Sequence, residues 1–321
     1  SAIVQQATGQ TVLDYLRPRL FEPLGIEHPV WDANFQGISL GGYGLRVRTE
    51  DIAKFGQLYL QQGAWNGEQL LPAEWVEAAT SKQVSNGSNP RSDWNQGYGF
   101  QFWRCRHDAY RGDGAFGQYC IVMPEQEVVV AITSGVGDMQ AVLDVVWDKL
   151  LPACEASALE EDAPASERLR EKLASLEVPP AHGDASSSIA QSVLNVQYDF
   201  LANDQMLESI SLISSDQGRS ATLAIVREGQ RMEFPAGYHV WERGRTSFPG
   251  GRLAQFSDEP VAGTFAWEAD DAVVVKVCAY ETPFHMTYRL TFSGASVKLE
   301  SEANVAFGPT RGEPLIGQRT Q

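Results

Sequence analysis

The sequence predicts an α+β fold followed by an all-β antiparallel barrel or sandwich domain. Up to about residue 151, apolar residues recur mostly at helical spacing, interrupted by a few short apolar runs. From about residue 192 the apolar period changes to two, and tight turns separate many short segments. A length of 321 residues fits about two domains. We place them at 1–152 and 191–321, with a linker at 153–190.

Helices of the first part follow from caps and apolar spacing. Residues 1–8 are predicted to form a helix that ends at Gly9, because glycine favours the left-handed cap conformation. Thr11 starts a second helix, Thr49 caps a third, and Pro72 opens a fourth. A closing helix is expected at about 139–151.

Three strands are predicted for the first part, at 98–103, 119–123 and 128–133. The second and third are joined by Pro124-Glu125-Gln126-Glu127, a turn that makes them a β-hairpin. A sheet of this kind must bury an apolar face, and the closing helix is the expected cover.

The linker is recognised by composition. Residues 155–162 are acidic and rich in small residues, and 166–177 is predicted to be a short amphipathic helix. Beyond it, strands are expected at 194–200, 210–213, 221–226, 231–234, 238–242, 261–267, 272–279, 286–292 and 296–300.

Composition excludes several kinds of partner. The net charge of −16 disfavours nucleic acid, which requires a basic face, and also an anionic membrane surface. No apolar run reaches the length of about 20 residues that spans a bilayer. The first residues carry no basic segment, so no signal peptide is expected there. These features select no compartment.

Cysteine and histidine usage predicts no metal site. The four cysteines, Cys105, Cys120, Cys154 and Cys278, form no Cys-x-x-Cys pair, and no two histidines stand at ligand spacing. Cys105 and Cys120 lie on neighbouring predicted strands, so one disulfide is geometrically conceivable. Free buried thiols are the favoured reading in a cysteine-poor chain of this size.

Gly112, Gly114 and Gly117 fit the spacing Gly-x-Gly-x-x-Gly of a dinucleotide site. That motif works when it opens a helix, because helix N–H groups then meet the phosphates. Here the glycines precede a β-hairpin instead. Glycines next to a strand allow another backbone or a ligand to approach closely, so a substrate-facing strand is predicted.

Several segments resemble one family of serine hydrolases, in the family's order. In chain order they are Leu20-Phe21-Glu22-Pro23-Leu24-Gly25-Ile26, Gly41-Gly42-Tyr43-Gly44-Leu45, Thr49-Glu50-Asp51-Ile52-Ala53-Lys54-Phe55 and the strand motif with Pro124-Glu125. The family is the class C β-lactamase and penicillin-binding-protein superfamily, and the resemblance covers about residues 1–151. The part from 181 onward resembles the β-rich C-terminal extension of some bacterial members. The resemblance implies a β-lactamase/transpeptidase-like antiparallel sheet, an acyl-enzyme mechanism, and no metal or organic cofactor.

Members of this family attack a carbonyl with a serine that a lysine three residues later activates, since a hydroxyl nucleophile needs a base. A tyrosine in Tyr-x-Asn or Tyr-x-Ser assists. In this sequence no serine has a lysine three positions on, and no tyrosine has asparagine or serine two positions on. In the family both motifs precede the segment that residues 1–9 resemble. We therefore expect a fragment that begins after the tyrosine motif, part of the catalytic domain, inactive alone.

The family's third motif is the remaining candidate site. Matched on Gly114 and Gly117, its triplet is Gly112-Asp113-Gly114. The N–H of Ala115, next to Gly114, would then supply one oxyanion-hole donor. Gly112 stands where the family usually has lysine or histidine. The missing cation favours an ester or amide other than a lactam or peptide.

Four residues are candidate substrate contacts: Gly112, Asp113, Arg111 and Phe116. Arg111 could replace the missing charge, although strand alternation turns its side chain to the other face. Asp113 could accept hydrogen bonds from a cationic or hydroxylated substrate, or serve only as a turn residue.

Other residues have a functional and a structural interpretation, and the structural one is favoured for each. For the tryptophans, packing in an aromatic core is preferred over a pocket, and His107 is interpreted as a solvated residue of a hairpin. The acidic run is interpreted as a solvated linker and not as a calcium site, and the last two histidines are expected on strands. These residues are Trp94, Trp103, Trp241, Trp267, His107, Glu160-Glu161-Asp162, His239 and His285.

The leading function is thus a serine hydrolase of a small-molecule ester, amide or peptide-like substrate. The alternative is a non-catalytic binding protein whose β domain holds a ligand or partner. A third possibility is a β domain that gates the hydrolase site. Because absent N-terminal strands would leave a sheet edge open, self-association or a retained N-terminal piece is expected.

Overall fold

The computed structural model describes residues 1–155, 157, 160–215, 218–248 and 256–320. The chain forms two compact units, Ser1–Glu160 and Glu161–Gln321. The predicted acidic connector at 155–162 lies partly outside the described residues. The described residues include no helix long and apolar enough to cross a membrane.

Local sequence signals account for the helices of the first unit. Gly9 ends the first helix with a φ of 73°, and the Thr11 side chain accepts the N–H of Asp14 at the start of the second. The predicted cap at Thr49 is one residue too late, because Arg48 is the cap and its N–H donates to Asp51. The helices are α1 (Ala2–Thr8), α2 (Val12–Leu16), α3 (Thr49–Leu60), α4 (Ala73–Thr80) and α5 (Met139–Val145), with π-helical continuations at Arg17–Phe21 and Val146–Leu150 and 3₁₀ turns at Pro124–Gln126 and Leu151–Ala153.

The strands of the first unit form two short hairpins and a four-stranded antiparallel sheet. In the sheet the order is β5-β6-β7-β8, so strands adjacent in sequence pair with each other. The predicted β7–β8 hairpin is confirmed, with its 3₁₀ turn at Pro124–Gln126. The strands are β1 (Val30–Trp31), β2 (Leu45–Arg46), β3 (Ala64–Trp65), β4 (Glu68–Gln69), β5 (Trp103–Arg104), β6 (Tyr110–Gly114), β7 (Gln118–Met123) and β8 (Val128–Ile132).

The prediction of a strand at 98–103 is wrong except for Trp103. The segment turns back on itself, since the N–H of Gly99 donates to the carbonyl of Phe102 at 2.8 Å and Gln101 has a φ of 64°. A Cβ on Gly99 would lie 2.1 Å from the carbonyl oxygen of Ala79, so the backbones touch there. A close contact with α4 interrupts the strand, and the local apolar pattern does not reveal it.

A helix covers each face of the sheet. On one face Gly56 of α3 lets the helix approach so closely that a Cβ there would lie 2.5 Å from Cγ1 of Val129. On the other face the Tyr119 hydroxyl donates to the carbonyl of Met139 in α5, at 2.9 Å. We call these the α3 face and the α5 face. Because side chains alternate along a strand, odd-numbered residues of β7 point to α5 and even-numbered ones to α3.

The second unit is an antiparallel barrel with two short helices. Nine strands close into a ring, β9-β10-β11-β12-β14-β15-β16-β17-β18, in which all contacts are antiparallel except the short β12–β14 contact. Its elements are α6 (Ala163–Ala174), α7 (Ala190–Val193), β9 (Gln197–Phe200), β10 (Leu207–Ser215), β11 (Ser220–Arg227), β12 (Gln230–Tyr238), β13 (Glu242–Phe248), β14 (Phe256–Ala269), β15 (Ala272–Cys278), β16 (His285–Ser293), β17 (Ser296–Ala303) and β18 (Leu315–Arg319).

Two sequence predictions for this unit need correction. A strand at 238–242 is wrong, because β12 ends at Tyr238 and His239 has a φ of 55°. His239 is therefore not on a strand, whereas His285 begins β16. The linker helix starts three residues earlier than predicted, since Asp162 caps it through the N–H of Ala165 and Pro164 lies in its first turn.

The barrel interior is a continuous apolar core. Residues of alternate positions on each strand meet inside it, among them Phe234, Trp267, Tyr288 and Phe292. This arrangement resolves the prediction of a barrel or sandwich in favour of a barrel.

Candidate functional site

The edge of β6 beyond Arg111 is unpaired among the described strands. The N–H of Cys105 donates to the carbonyl of Ala109 at 2.9 Å, and Trp103 lies opposite Arg111. Because hydrogen-bonded pairs alternate in antiparallel strands, the backbone groups of Arg111 and Asp113 point towards β5. β5 pairs with β6 only as far as Arg111. The backbone groups of Asp113 therefore point to a side of β6 on which no described strand pairs with them.

The turn after β6 is held rigidly by residues 134–136. Ser134 donates its hydroxyl to the carbonyl of Gly117 at 2.7 Å, and the N–H of Val136 donates to the carbonyl of Phe116 at 3.1 Å. The Gln118 side-chain amide donates to the carbonyls of Ser134, at 2.5 Å, and Ala115, at 3.2 Å. Gly117 has a φ of 90°, and a Cβ there would lie 2.2 Å from the Ser134 hydroxyl. Only glycine fits this position.

The predicted oxyanion donor and its glycine neighbours lie at the surface of the strand end. Ala115 is exposed, while Gly112 and Gly114 are half-buried. Gly112 lies on the α3 face, since a Cβ there would be 3.7 Å from Cβ of Cys120, whose thiol contacts the carbonyl of Ile52 in α3. The three residues thus border one accessible edge of the sheet.

Arg111 lies on the opposite face and is fully buried. Its side chain is 0% exposed, and its Nε donates to Asp113 Oδ2 at 2.8 Å. Its guanidinium carbon is 4.5 Å from the centre of the Trp94 ring and 5.5 Å from that of Trp103. It also donates to the thiol of Cys105 at 3.1 Å. Arg111 thus lies on the face opposite Gly112, as strand alternation predicts, and its role as a substitute for the missing cation stays a prediction.

Asp113 shares the α5 face with Arg111, and its side chain is 8% exposed. Burial raises the pKa of its carboxyl, and the charge and hydrogen bond of Arg111 oppose that rise. The carboxylate therefore already has a partner inside the protein. The prediction that Asp113 accepts hydrogen bonds from a cationic or hydroxylated substrate stays a prediction.

Phe116 is buried, with a φ of 64°. Its backbone carbonyl is held by residues 134–136, so the residue forms part of the rigid turn. Its contact with a substrate stays a prediction.

Ser134 and Gln118, which hold this turn, were not predicted. Both stand at strand ends, where polar side chains often bond to turn backbone.

A second group that sequence reasoning missed is centred on Asp93. This carboxylate is fully buried and accepts hydrogen bonds from Arg106, Gln140 and Trp147. Burial opposes ionisation of Asp93, but these donors outweigh it and hold its pKa below the ordinary value. The backbone carbonyl of Asp93 accepts a hydrogen bond from Arg111 at 2.9 Å. The Asp93 cluster therefore supports β6 from the α5 face.

One serine of the first unit, Ser39, stands in the pattern Gly-x-Ser-x-Gly, within Gly37-Ile38-Ser39-Leu40-Gly41. Such a serine acts as a nucleophile when it sits on a sharp strand-to-helix turn. Ser39 instead forms an isolated β-bridge with Ala33 between β1 and β2, and it is buried. It lacks the context of a nucleophile.

The remaining candidates have structural surroundings. All four cysteines are free, and burial raises the pKa of the Cys105 thiol to about 11 and that of Cys120 to about 12. His107 is exposed in the β5–β6 turn. Trp267 lies in the barrel core, and the indole of Trp241 donates to the carbonyl of Val178 at 2.9 Å. Across the described part of the chain, no three His, Cys, Asp or Glu residues are arranged to hold a metal ion.

The Beta-lactamase family model matches residues 1–144. Solved structures that match include a protein described as a 6-aminohexanoate-dimer hydrolase from Bacillus anthracis, with 23% identity, a TM-score of 0.38, and coverage of 46% of this chain and 40% of that one. The octameric penicillin-binding protein homologue from Pyrococcus abyssi has 13% identity, a TM-score of 0.35, and coverage of 98% and 62%.

A third match is a secretary abundant heat soluble (SAHS) protein from Ramazzottius varieornatus, with 6% identity, a TM-score of 0.28, and coverage of 44% of this chain and 99% of that one. No curated protein matches the chain. The chain spans 40% of the length of the first of these structures and 62% of the second. Residues 1–144 form a domain of the Beta-lactamase family.

Proposed function

We propose that the open edge of β6 is one wall of an acyl-transfer site, where an ester, amide or lactam carbonyl is attacked. The observation that carries the proposal is that Ala115 is exposed, directly after the strand β6 and in a turn that Ser134 and Gln118 hold. A backbone donor stabilises an oxyanion best when it is fixed before the reaction, because no reorganisation is then needed.

In this proposal Gly112 leaves room for a substrate beside the strand, whereas the space next to Gly114 is bordered by Gln118, whose Cβ would lie 3.0 Å from an added Cβ. Within 4 Å an added Cβ on Gly112 would meet only Cβ of Cys120, at 3.7 Å, which is an ordinary van der Waals contact. No cation stands at Gly112 to bind a substrate carboxylate, which favours a neutral small-molecule ester or amide. Arg111 and Asp113 hold the strand from the α5 face and do not contact the substrate.

We further propose that the nucleophilic serine and its lysine come from polypeptide outside residues 1–321, so that this chain alone does not hydrolyse substrate. Neither Ser-x-x-Lys nor the tyrosine motif occurs in the sequence. The first test is incubation of the purified chain with nitrocefin and with p-nitrophenyl acetate. Turnover at the background rate is expected, and saturable hydrolysis by the chain would overturn this part.

The second test addresses the oxyanion donor, in the polypeptide extended by the residues encoded upstream. Ala115→Pro removes the N–H, and Ala115→Ser keeps it. We expect Ala115→Pro to lower kcat for an ester about 100-fold or more, while Ala115→Ser stays within a few-fold of the parent. Equal rates for the two folded variants would refute the role of Ala115.

The outer edge of β8 supports a proposal about partners. Among described strands β8 pairs only with β7, and its five residues are all apolar and half-buried. Val145 and Leu150, on the covering helix, are exposed. We propose that another strand covers this edge, through self-association or a retained N-terminal piece. Light scattering tests it, and a monodisperse species of 35.3 kDa without further polypeptide would contradict it.

A further inference from the structure

The side chain of Arg227 points into the barrel. On β11 the alternate residues Ala221, Leu223 and Ile225 are buried in the core, and Arg227 follows at the same spacing. Its cross-strand partner on β10 is Leu207, which also belongs to the core. Cross-strand partners share a face, so both observations place the guanidinium on the inner side of the sheet.

The charge of Arg227 affects the pKa of a residue on the far wall of the barrel. Tyr288 lies on β16, which is separated from β11 by three strands on one side of the ring and four on the other. Burial raises the pKa of the Tyr288 phenol, and the positive charge of Arg227 acts against that rise. Inside the barrel the ring of Phe234 lies 6.2 Å from that of Tyr288. Arg227 as a whole is half-buried, so part of its side chain remains accessible to solvent.

Arg227 lacks an anionic partner within the described part of the protein. Its Nε is buried and makes no hydrogen bond, and no ion pair joins its guanidinium to a described carboxylate. The nearest glutamates along the strands, Glu208 and Glu228, are exposed, and Glu208 is engaged by the N–H of Gly229 at 2.7 Å. A buried donor without a partner is costly, because desolvation of the charged group is not compensated.

The same end of the barrel carries an open depression of about 400 Å³. Phe200, Met206 and Leu207 give it an apolar floor, with Ala202 beside them, and the polar lining consists of Asn203, Glu208 and Glu228. The neighbouring loop exposes Leu201, 89% accessible. Arg227 is not itself a lining residue, but its cross-strand partner Leu207 and its chain neighbour Glu228 both line the depression. A cation without an ion-pair partner among the described residues, beside apolar surface, is the combination that recognises an anion with a hydrocarbon chain. The two rim glutamates disfavour a multiply charged anion.

We propose that Arg227 binds the head group of an amphiphilic monoanion, an alkyl carboxylate whose chain lies over Phe200, Met206 and Leu207. The guanidinium fork matches a carboxylate in geometry, and a bidentate pair would satisfy the Nε that is now without a partner. This site belongs to the second unit and is independent of the acyl-transfer proposal.

Isothermal titration of the whole chain with decanoate, acetate and decyltrimethylammonium tests the proposal. Decanoate is expected to bind saturably at one site. Acetate, which lacks the chain, is expected to bind at least tenfold more weakly, and the ammonium amphiphile, which has the wrong charge, is expected not to saturate. Absence of saturable decanoate binding, or equally tight binding of the ammonium amphiphile, would overturn the proposal.

The matched variants are Arg227→Gln and Arg231→Gln. Arg231 lies on the neighbouring strand, is exposed and pairs with Glu233, so its loss removes an equal charge outside the barrel. We expect Arg227→Gln to weaken decanoate binding about tenfold or more and Arg231→Gln to change it less than twofold. Equal affinity of the two variants contradicts the assignment. If circular dichroism shows that Arg227→Gln is unfolded, Arg227→Lys replaces it, and unchanged affinity of that variant contradicts the bidentate pair.

Discussion

Replacing the buried Asp93 by asparagine should destabilise the first unit strongly. Asp93 is 0% exposed and lies where the segment before β5 meets α5. Its Oδ2 accepts from Arg106 Nε at 3.0 Å, from Gln140 Nε2 at 2.7 Å and from Trp147 Nε1 at 3.0 Å, while its Oδ1 accepts the backbone N–H of Arg106 at 2.8 Å. Every group around the carboxylate is a donor.

The size of the effect follows from these contacts. An asparagine side chain has one acceptor oxygen, so in either orientation its NH₂ group meets a donor where the carboxylate accepted a bond. Breaking a buried charge pair by removing one partner costs about 3–5 kcal/mol. Arg106 is 24% exposed and keeps Asp144 as a second partner. We therefore expect Asp93→Asn to lower the free energy of unfolding by about 3 kcal/mol, near the lower end of that range.

Asp144→Asn is the matched control, because Asp144 pairs with the same Arg106 but is 46% exposed. Exposed ion pairs contribute about 0–1 kcal/mol, so this variant should lose less than about 1 kcal/mol. Urea unfolding followed by tryptophan fluorescence measures both, since Trp147 contacts Asp93 directly. Equal losses in the two variants, or a loss below about 1 kcal/mol for Asp93→Asn, would refute the argument from burial.

Three further predictions concern acid, helix packing and barrel closure. The pKa of Asp93 is lowered in the folded state, so the stability difference between the parent and Asp93→Asn should be complete at neutral pH. The difference should shrink as the pH falls below 3.8, the ordinary pKa of an aspartate, and urea unfolding at several pH values measures it. Gly56→Ala places a Cβ 2.5 Å from Cγ1 of Val129 and 2.8 Å from the thiol of Cys120. Urea unfolding should therefore show a loss of about 1–2 kcal/mol in the free energy of unfolding, although alanine has the better helix propensity. A stabilised variant would contradict the close packing. Deletion of residues 315–321 removes β18 and leaves β9 and β17 as open edges, so hydrogen exchange in both strands should accelerate about tenfold or more, and unchanged protection would show that the ring does not depend on β18.

Elements whose determinants are close in sequence were predictable. The β7–β8 hairpin is specified by two apolar runs and a proline-containing turn, and α1 and α2 by Gly9 and Thr11. The strand β18 was not predicted. Its sequence, Leu315-Ile316-Gly317-Gln318-Arg319, has one small residue at its centre and no strict alternation. Gly317 is needed because the Phe200 ring lies 2.9 Å from the position of its missing Cβ, a contact across 117 residues of sequence.

The candidate site was predictable only in part, for the same reason. The glycines and the turn were visible in the sequence, as was the alternation that turns Arg111 away from Gly112. The partners of Asp93 were not, because Arg106, Gln140 and Trp147 stand 13, 47 and 54 residues further along the chain. A buried aspartate in a segment between elements has no local signal that distinguishes it from a turn residue.

Arg111 and Gly112 are neighbours in sequence, yet they face opposite sides of the sheet. Arg111 is tied to Asp113, Cys105 and the carbonyl of Asp93, all on the α5 face. A strand that slipped by one residue would bring this buried cation to the α3 face and Gly112 to the core, at the expense of every one of those contacts. The buried pair thus holds the register that keeps a glycine at the open edge. The charged groups that order this strand therefore lie on the face opposite Gly112, and their contacts fix which residue of β6 stands at the edge.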